Sequence, residues 1–288
     1  MKISIVTLSF NQAPFLEQAL QSVLNQDYPD LEYIVVDPGS TDGSREILER
    51  YRDRLSALIL EPDAGPGDGL NKGFARASGS VLGYLNADDA YLPGALREAA
   101  AVFASRDRPD VVCGHGLIID STGRVVRRMR SAPWSLTRFV YGASVQMQQS
   151  TFFRADAFAR TPGFNNANRT CWDAELLMEL GRAGARFRIV DRYWSLFRIH
   201  ESSITGSGRL NDRYAEDLAR MFRIVMGRPW TARDALIAKA MRVVRWATDP
   251  AGLVLRLRDQ LSGPPPALQA LAASAIQASS PIMTGSRP

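Results

Sequence analysis

The chain has 288 residues, 45% hydrophobic and 23% charged, with a formal net charge of +5 carried almost wholly by arginine. That composition excludes a disordered or collagen-like chain and leaves room for one large α/β domain with an appendage. Two cysteines far apart, Cys113 and Cys171, exclude a disulfide scaffold and a cysteine metal site.

No apolar run is long enough to span a bilayer. No Lys/Arg run interleaved with aromatics marks a nucleic-acid groove, so no nucleic-acid partner is expected. The apolar stretch at residues 3–8 is too short for a signal peptide. The expected location is the cytoplasm.

In chain order, residues 3–8 read as a short buried strand. A helix follows over 15–26, where Phe15, Leu16, Ala19, Leu20, Val23 and Leu24 share one face; Pro14 suits its first turn. After the turn Asp27-Tyr28-Pro29-Asp30 comes a second strand, 32–36. Ser40 or Asp42 caps a helix over 44–54, on which Ile47, Leu48 and Tyr51 recur at helical spacing. Residues 57–60 form a third strand, 61–69 a Gly/Pro/Asp loop, 71–77 a short helix and 81–85 a fourth strand. This alternation predicts an α/β fold whose sheet is mostly parallel and covered by helices on both faces.

Beyond Pro93 the pattern gives a helix to residue 104 and a strand over 110–119. A hairpin turn at Ser121-Thr122-Gly123 leads into a strand over 124–129, and another strand covers 150–153. A helix opens at Asp173 and stops at Gly184, and strands follow at 187–190 and 193–199. From residue 211 the pattern is helical. After Pro264-Pro265-Pro266 the composition turns Ala/Ser/Pro-rich, which predicts a poorly ordered tail.

Three acidic stations carry the chemistry. Asp37 ends the apolar run Tyr33-Ile34-Val35-Val36. Asn86-Ala87-Asp88-Asp89 follows Val81-Leu82-Gly83-Tyr84-Leu85. Asp173 opens an amphipathic helix. In an open α/β sheet the ends of such strands form the crevice where ligands bind. A carboxylate there, such as Asp37, can accept from a nucleobase N–H or a ribose hydroxyl. Adjacent acids such as Asp88 and Asp89 repel unless a cation sits between them, and a hard divalent ion suits them.

The successive motifs Ser9-Phe10-Asn11, Val36-Asp37 with Ser40-Thr41-Asp42-Gly43-Ser44, Asn71-Lys72-Gly73, Leu85-Asn86-Ala87-Asp88-Asp89, Trp172-Asp173 and Phe197-Arg198-Ile199-His200 resemble those of family 2 glycosyltransferases. Glu61-Pro62-Asp63, with Gly65 and Asp68, is similar to the branch that builds bacterial surface polysaccharides. The resemblance covers about residues 1–205. It implies the GT-A nucleotide-diphospho-sugar transferase fold, with a nucleotide-sugar half over 1–105 and an acceptor half over 106–205. A helical extension over 206–262 and the tail over 263–288 complete the chain.

The resemblance implies inverting, metal-dependent transfer from a nucleotide-diphosphate donor, a UDP-sugar first, to a glycan or polyprenyl-linked acceptor. It places Phe10, Asn11, Asp37, Asn71, Asn86 and Asp88 on the donor, and Mg²⁺ or Mn²⁺ on Asp88, Asp89 and His200. Asp173 is then the general base that takes the acceptor hydroxyl's proton. Gln148, Gln149 and Ser150 fall in a segment near the acceptor pocket of relatives.

The chain departs from the pattern in places. Pro38 removes an N–H donor, Leu70 replaces an Arg, Asn86 replaces an acid and Trp172 replaces a Glu. Asp42 reads as a cap, Glu175 as a solvated helix residue and His115 as structural. A sugar nucleotidyltransferase and a non-catalytic sugar-nucleotide or glycan-binding protein are the alternatives. The first should carry a glycine-rich basic loop after strand one, where this chain has Thr7-Leu8-Ser9-Phe10-Asn11-Gln12. Basic and apolar residues between Phe222 and Leu257 suit peripheral contact with an anionic membrane face.

Overall fold

The computed structural model describes residues 1–201, 203 and 210–278. Nine strands form one sheet among these residues. The chain opens with β1 (Ile3–Leu8), α1 (Ala13–Leu24), β2 (Leu31–Val36), α2 (Ser44–Tyr51), β3 (Ala57–Ile59), α3 (Pro66–Phe74) and β4 (Val81–Asn86). These strands lie in the order β3-β2-β1-β4, all parallel, with Ile3 opposite both Leu31 and Val81.

Alternation along each strand dresses both faces. Ile3, Ile5, Tyr33, Val35 and Val81 pack with Leu16, Leu20 and Val23 of α1. Val6, Ile34, Val36, Leu82 and Tyr84 pack with Leu70 and Phe74 of α3. A strand buried on both sides reads as a continuous apolar run, which is why β1, β2 and β4 stand out in the sequence.

The second half mixes directions. β5 (Ala90–Tyr91), α4 (Ala95–Phe103), β6 (Val111–Ile119), β7 (Val125–Met129), α5 (Leu136–Val140), β8 (Thr151–Arg154), α6 (Ala155–Phe158), α7 (Trp172–Arg182) and β9 (Phe187–Arg198) continue the chain. β8 joins β4 to β6 through antiparallel pairs, β9 runs parallel to β6, and β5 pairs antiparallel with the end of β9. The predicted strands at 187–190 and 193–199 are one strand; register shifts opposite Cys113–Gly116 absorb the polar break at Asp191-Arg192. The hairpin between β6 and β7 forms where expected. Gly123 takes φ 87°, and Asp120 accepts from the Thr122 and Arg124 N–H groups. β5, α5 and α6 are each five residues or shorter, too brief to leave a period.

Among the described residues four helices follow: α8 (Asn211–Met226), α9 (Ala232–Thr248), α10 (Pro250–Ser262) and α11 (Pro266–Ala278). α8 buries Met221 and Phe222 against α5 and α7. α9 starts at a capping box between Thr231 and Asp234. Asp259 of α10 pairs with Arg128 of β7.

The expectation of a poorly ordered tail from residue 263 does not hold for α11. Its Ala272 and Ala275 are small enough to lie flat on Leu92, Leu117, Ile119 and Val125. The Gln269 amide bonds both the N–H and C=O of Val125 at 2.9 and 2.8 Å, closing that stretch of sheet edge. The alanine-rich composition here serves close packing rather than disorder. Residues 279–288 lie outside the described residues. Among the described residues no helix is long and apolar enough to cross a membrane.

Candidate functional site

The parallel strands end on one edge of the sheet, and the loops there carry the predicted donor residues. Asp37 sits just past β2 and is fully buried. Its carboxylate accepts from the Gly39 N–H at 3.1 Å, the Ser40 N–H at 2.8 Å and the Ser40 hydroxyl at 2.6 Å, and Arg45 Nε lies at 3.2 Å. Asn11 takes the left-handed conformation, φ 52°, which Asn tolerates better than most residues. Its N–H donates to Ser40 Oγ at 2.8 Å and its Oδ1 accepts from Thr41 N–H at 2.9 Å. The β1 and β2 loops are thus one hydrogen-bonded unit, and it leaves the Phe10 ring 57% exposed. Asp42, expected to cap α2, stands one residue before the actual N-cap, Gly43, and accepts instead from the Ala13 and Ser44 N–H groups, tying the start of α1 to that of α2.

Asn71 holds a different loop. Its Nδ2 donates to the Phe164 carbonyl at 2.8 Å and to Asn166 Oδ1 at 3.0 Å, and its Oδ1 accepts from Phe164 N–H at 3.0 Å. Gly65, at φ 123°, lies directly under Arg169; a Cβ there would sit 1.6 Å from the guanidinium. These contacts tie the 61–71 segment to the 163–169 loop.

The Asp88–Asp89 turn links β4 to β5, and the two acids part company. Asp89 is 2% exposed. It accepts from the Arg198 N–H at 3.0 Å, from Gln149 Nε2 at 2.9 Å and from Asn86 Nδ2 at 3.3 Å. Burial, then the neighbouring Asp88, push its carboxyl well above the usual carboxylate range. Asp88 is less deeply buried, its side chain 14% exposed, with Oδ2 3.1 Å from His200 Nε2.

Arg198 fastens this turn. Its Nε donates to the Asp88 carbonyl at 2.9 Å, and its other nitrogens reach the Asp120 and Ser121 carbonyls and Gln18. Its guanidinium lies over Phe15, 4.7 Å from the ring centroid. Among the described residues no three His, Cys, Asp or Glu side chains gather as a metal cluster. The donor set is a partly exposed carboxylate beside an imidazole. A hard cation that keeps waters and shares substrate phosphates needs no more than one or two protein ligands, so the pair fits such an ion.

Asp173 lies in the first turn of α7, whose N-cap is Cys171, so Asp173 is not itself the cap. Burial raises its carboxyl above the usual range despite accepting from backbone N–H groups. It lines a cleft of about 360 Å³ together with Gln149, Cys171, Phe197 and Tyr214. Tyr84 packs beneath. Burial first, then the fields of Asp173 and, more weakly, Asp89, hold its phenol protonated. Gln149 belongs to both places, since it lines the Asp173 cleft and bonds Asp89.

The sheet edge thus brings Asp37, Asn11 and Phe10 into one loop unit. It joins Asn86, Asp88, Asp89 and His200 at one turn, with Asp173 across the Gln149 wall. Asn71 faces the 163–169 loop instead. Glu175, expected in solvent, is 6% exposed and is held by Asn165, Asn168 and Arg220. Helix α8 supplies that arginine, which the sequence spacing could not reveal. Trp172 is half-buried and packs against the core on the α3 side of the sheet. His115 is buried, with Nδ1 accepting from Ser131 N–H. The roles of Arg198 and Gln149 at the Asp88–Asp89 turn went unread. The available signal was an arginine inside the apolar run Trp194–Ile199, where a charge must find acceptors.

Residues 4–161 match the family model described as Glycosyl transferase family 2. The GalNAc(5)-diNAcBac-PP-undecaprenol beta-1,3-glucosyltransferase of Campylobacter jejuni is 35% identical over 99 residues, 33% of this chain and 32% of that protein. The crystal structure of S. aureus TarS 1-349 in complex with UDP-GlcNAc superposes with a TM-score of 0.63 at 19% identity, covering 97% of this chain and 82% of that one. The mannosyltransferase PcManGT from Pyrobaculum calidifontis, in complex with GDP-Man and Mn2+, gives 0.60 at 18% identity, covering 96% and 85%. Matches to the leading curated relatives span only 40%, 54% and 62% of their lengths. The structural likeness establishes a GT-A-like α/β fold. With the family model covering more than half of its length, the chain belongs to glycosyl transferase family 2.

Proposed function

We propose that this protein is an inverting glycosyltransferase. It moves a sugar from a nucleotide-diphosphate donor, a UDP-sugar first, to a hydroxyl of a glycan or lipid-linked acceptor of cell-surface polysaccharide. One observation carries the reading: Asp173, raised in pKa by burial, opens into a cleft walled by the same Gln149 that holds the Asp88–Asp89 turn. A carboxylate so placed is a better proton acceptor than an ordinary one near neutral pH. It takes the acceptor hydroxyl's proton as that oxygen attacks the anomeric carbon from the face opposite the nucleotide. The loop unit of Phe10, Asn11 and Asp37 receives the nucleoside, with Asn71 and Asn86 ordering the walls beside it.

Asp88 and His200 would hold Mg²⁺ or Mn²⁺, and Asp89, also assigned to the metal from sequence, would support Asp88 from behind. When bound, the ion neutralises charge on the leaving diphosphate. Exposed Leu236, Val243, Val254 and Leu261, beside Arg242 and Arg258, support contact with an anionic membrane face at the inner side of the cell membrane.

The test is thermal unfolding against a panel of nucleotide sugars with and without Mn²⁺, followed by nucleotide release with candidate glycan acceptors. A ligand at 100 times its Kd stabilises by about 2.7 kcal/mol, so the true donor should raise Tm clearly. No shift with any donor would reject the reading. A shift without nucleotide release from any acceptor would favour the non-catalytic binding protein.

A further inference from the structure

A second, larger cavity of about 770 Å³ lies between β7 and the helices α9 and α10. Six arginines line it: Arg127, Arg128, Arg130, Arg138, Arg245 and Arg256. Two acids, Asp249 and Asp259, share the lining. Asp259 is committed to Arg128 and Asp249 caps α10 through the Gly252 N–H at 3.0 Å. Arg130 pairs with Asp191. Six arginines and two acids thus share the lining, which makes the cavity basic. Desolvation, then the positive field of Arg256, lower the proton affinity of both Arg127 and Arg245. A folded chain holds like charges together at a cost that a bound anion relieves, and guanidinium forks match phosphate oxygens.

This cavity adjoins the Asp173 cleft. Met129 lines both. A ligand anchored among the arginines would extend past Met129 toward the carboxylate proposed as base.

We infer that the arginine-lined cavity between β7 and α9–α10 binds the phosphate or diphosphate of a phosphorylated acceptor, whose sugar hydroxyl then reaches Asp173 through the adjoining cleft. The inference rests on the transferase reading for the direction of the acceptor, but the anion site can be tested without any transfer. The phosphate belongs either to a lipid headgroup or to a soluble phosphorylated glycan.

The experiment titrates inorganic pyrophosphate into the full chain by calorimetry, with UDP present to occupy the donor side. Wild type is compared with the double variant Arg127→Gln/Arg256→Gln, the charge-keeping Arg127→Lys/Arg256→Lys, and Arg106→Gln as an exposed control outside the cavity. Pyrophosphate affinity should fall at least tenfold in the Gln pair, recover substantially in the Lys pair and stay unchanged in the control. Far-UV spectra and melting curves check that each variant is folded. Affinity within twofold of wild type in a folded Gln pair overturns the inference, whether or not transfer has been detected. So does loss in the Lys pair equal to that in the Gln pair, which would mean the arginines only hold the helices in place.

Sedimentation with phosphatidylcholine vesicles, with and without phosphatidylglycerol, separates the two sources. Anionic-vesicle binding that pyrophosphate displaces, and that the Gln pair loses, assigns the site to a lipid headgroup. Pyrophosphate binding without such vesicle binding assigns it to a soluble phosphorylated acceptor.

Discussion

The two acids of the β4–β5 turn are neighbours in sequence and opposites in structure. Asp89 faces the interior and spends both oxygens on Arg198, Gln149 and Asn86. Asp88, less deeply buried, meets His200 instead. The same contrast separates Asp37, whose carboxylate is saturated by its own loop and Arg45, from Asp173, which opens into a cleft. An acid at a strand end is therefore either a ligand for the outside or an anchor for the loop that makes a ligand site. Its inventory of hydrogen bonds decides which.

The sharpest way to break this division is Asp173→Asn. Turnover should fall by about 10²–10⁴-fold, the scale of general-base catalysis, while donor affinity holds. Near wild-type turnover in a folded variant would move the base elsewhere.

Asp88→Asn should next weaken Mn²⁺-dependent donor binding by at least about tenfold, with Tm unchanged. Asp89→Ala should do the reverse first. Removing the acceptor for two buried donors costs about 1–3 kcal/mol, read as a lower midpoint in urea. If Asp89→Ala is as stable as wild type and only metal dependence is lost, then Asp89 is a ligand and the division fails at that residue.

Asp37→Ala should destabilise its loop on a similar scale, about 1–3 kcal/mol. It should lower affinity for free UDP as much as for the intact donor. A loss confined to the sugar-bearing ligand would place Asp37 on the sugar instead.

The smallest effect concerns pH and stability. Burial raises the Asp173 carboxyl, so between its ordinary pKa and the raised one the folded chain binds more protons than the unfolded chain. Its contribution to stability is fully present below the ordinary pKa and is lost as pH rises through the raised one. Asp173→Asn should therefore melt slightly above wild type at pH 7, with the gap closing as the pH falls toward 4. A gap that widens on acidification would contradict the assigned direction.

Much of the fold could be read in advance because β1, β2 and β4 bury both faces, so Ile3–Leu8, Leu31–Val36 and Val81–Asn86 stand out as apolar runs. What stayed hidden depends on contacts distant in sequence. Glu175 looks like any exposed helix acid until Arg220 arrives from α8. The alanines of α11 carry no amphipathic signal strong enough to announce burial. For the candidate site, motif order singles out Asp37, Asp88, Asp89, Asp173 and His200. The orientation of Asp89 depends on Arg198 and Gln149, which reach it from 109 and 60 positions away.

Gln149 has a consequence for engineering. One amide is at once a wall of the Asp173 cleft and a strut of the turn that carries Asp88. Changing acceptor preference by grafting a cleft from another transferase would have to carry a donating amide to position 149, or the transplant would disarm the donor half while reshaping the other. Diversity is cheaper at Met129 and Tyr214, which line the same cleft without touching Asp89. A library built to change the acceptor should be randomised there and held constant at Gln149.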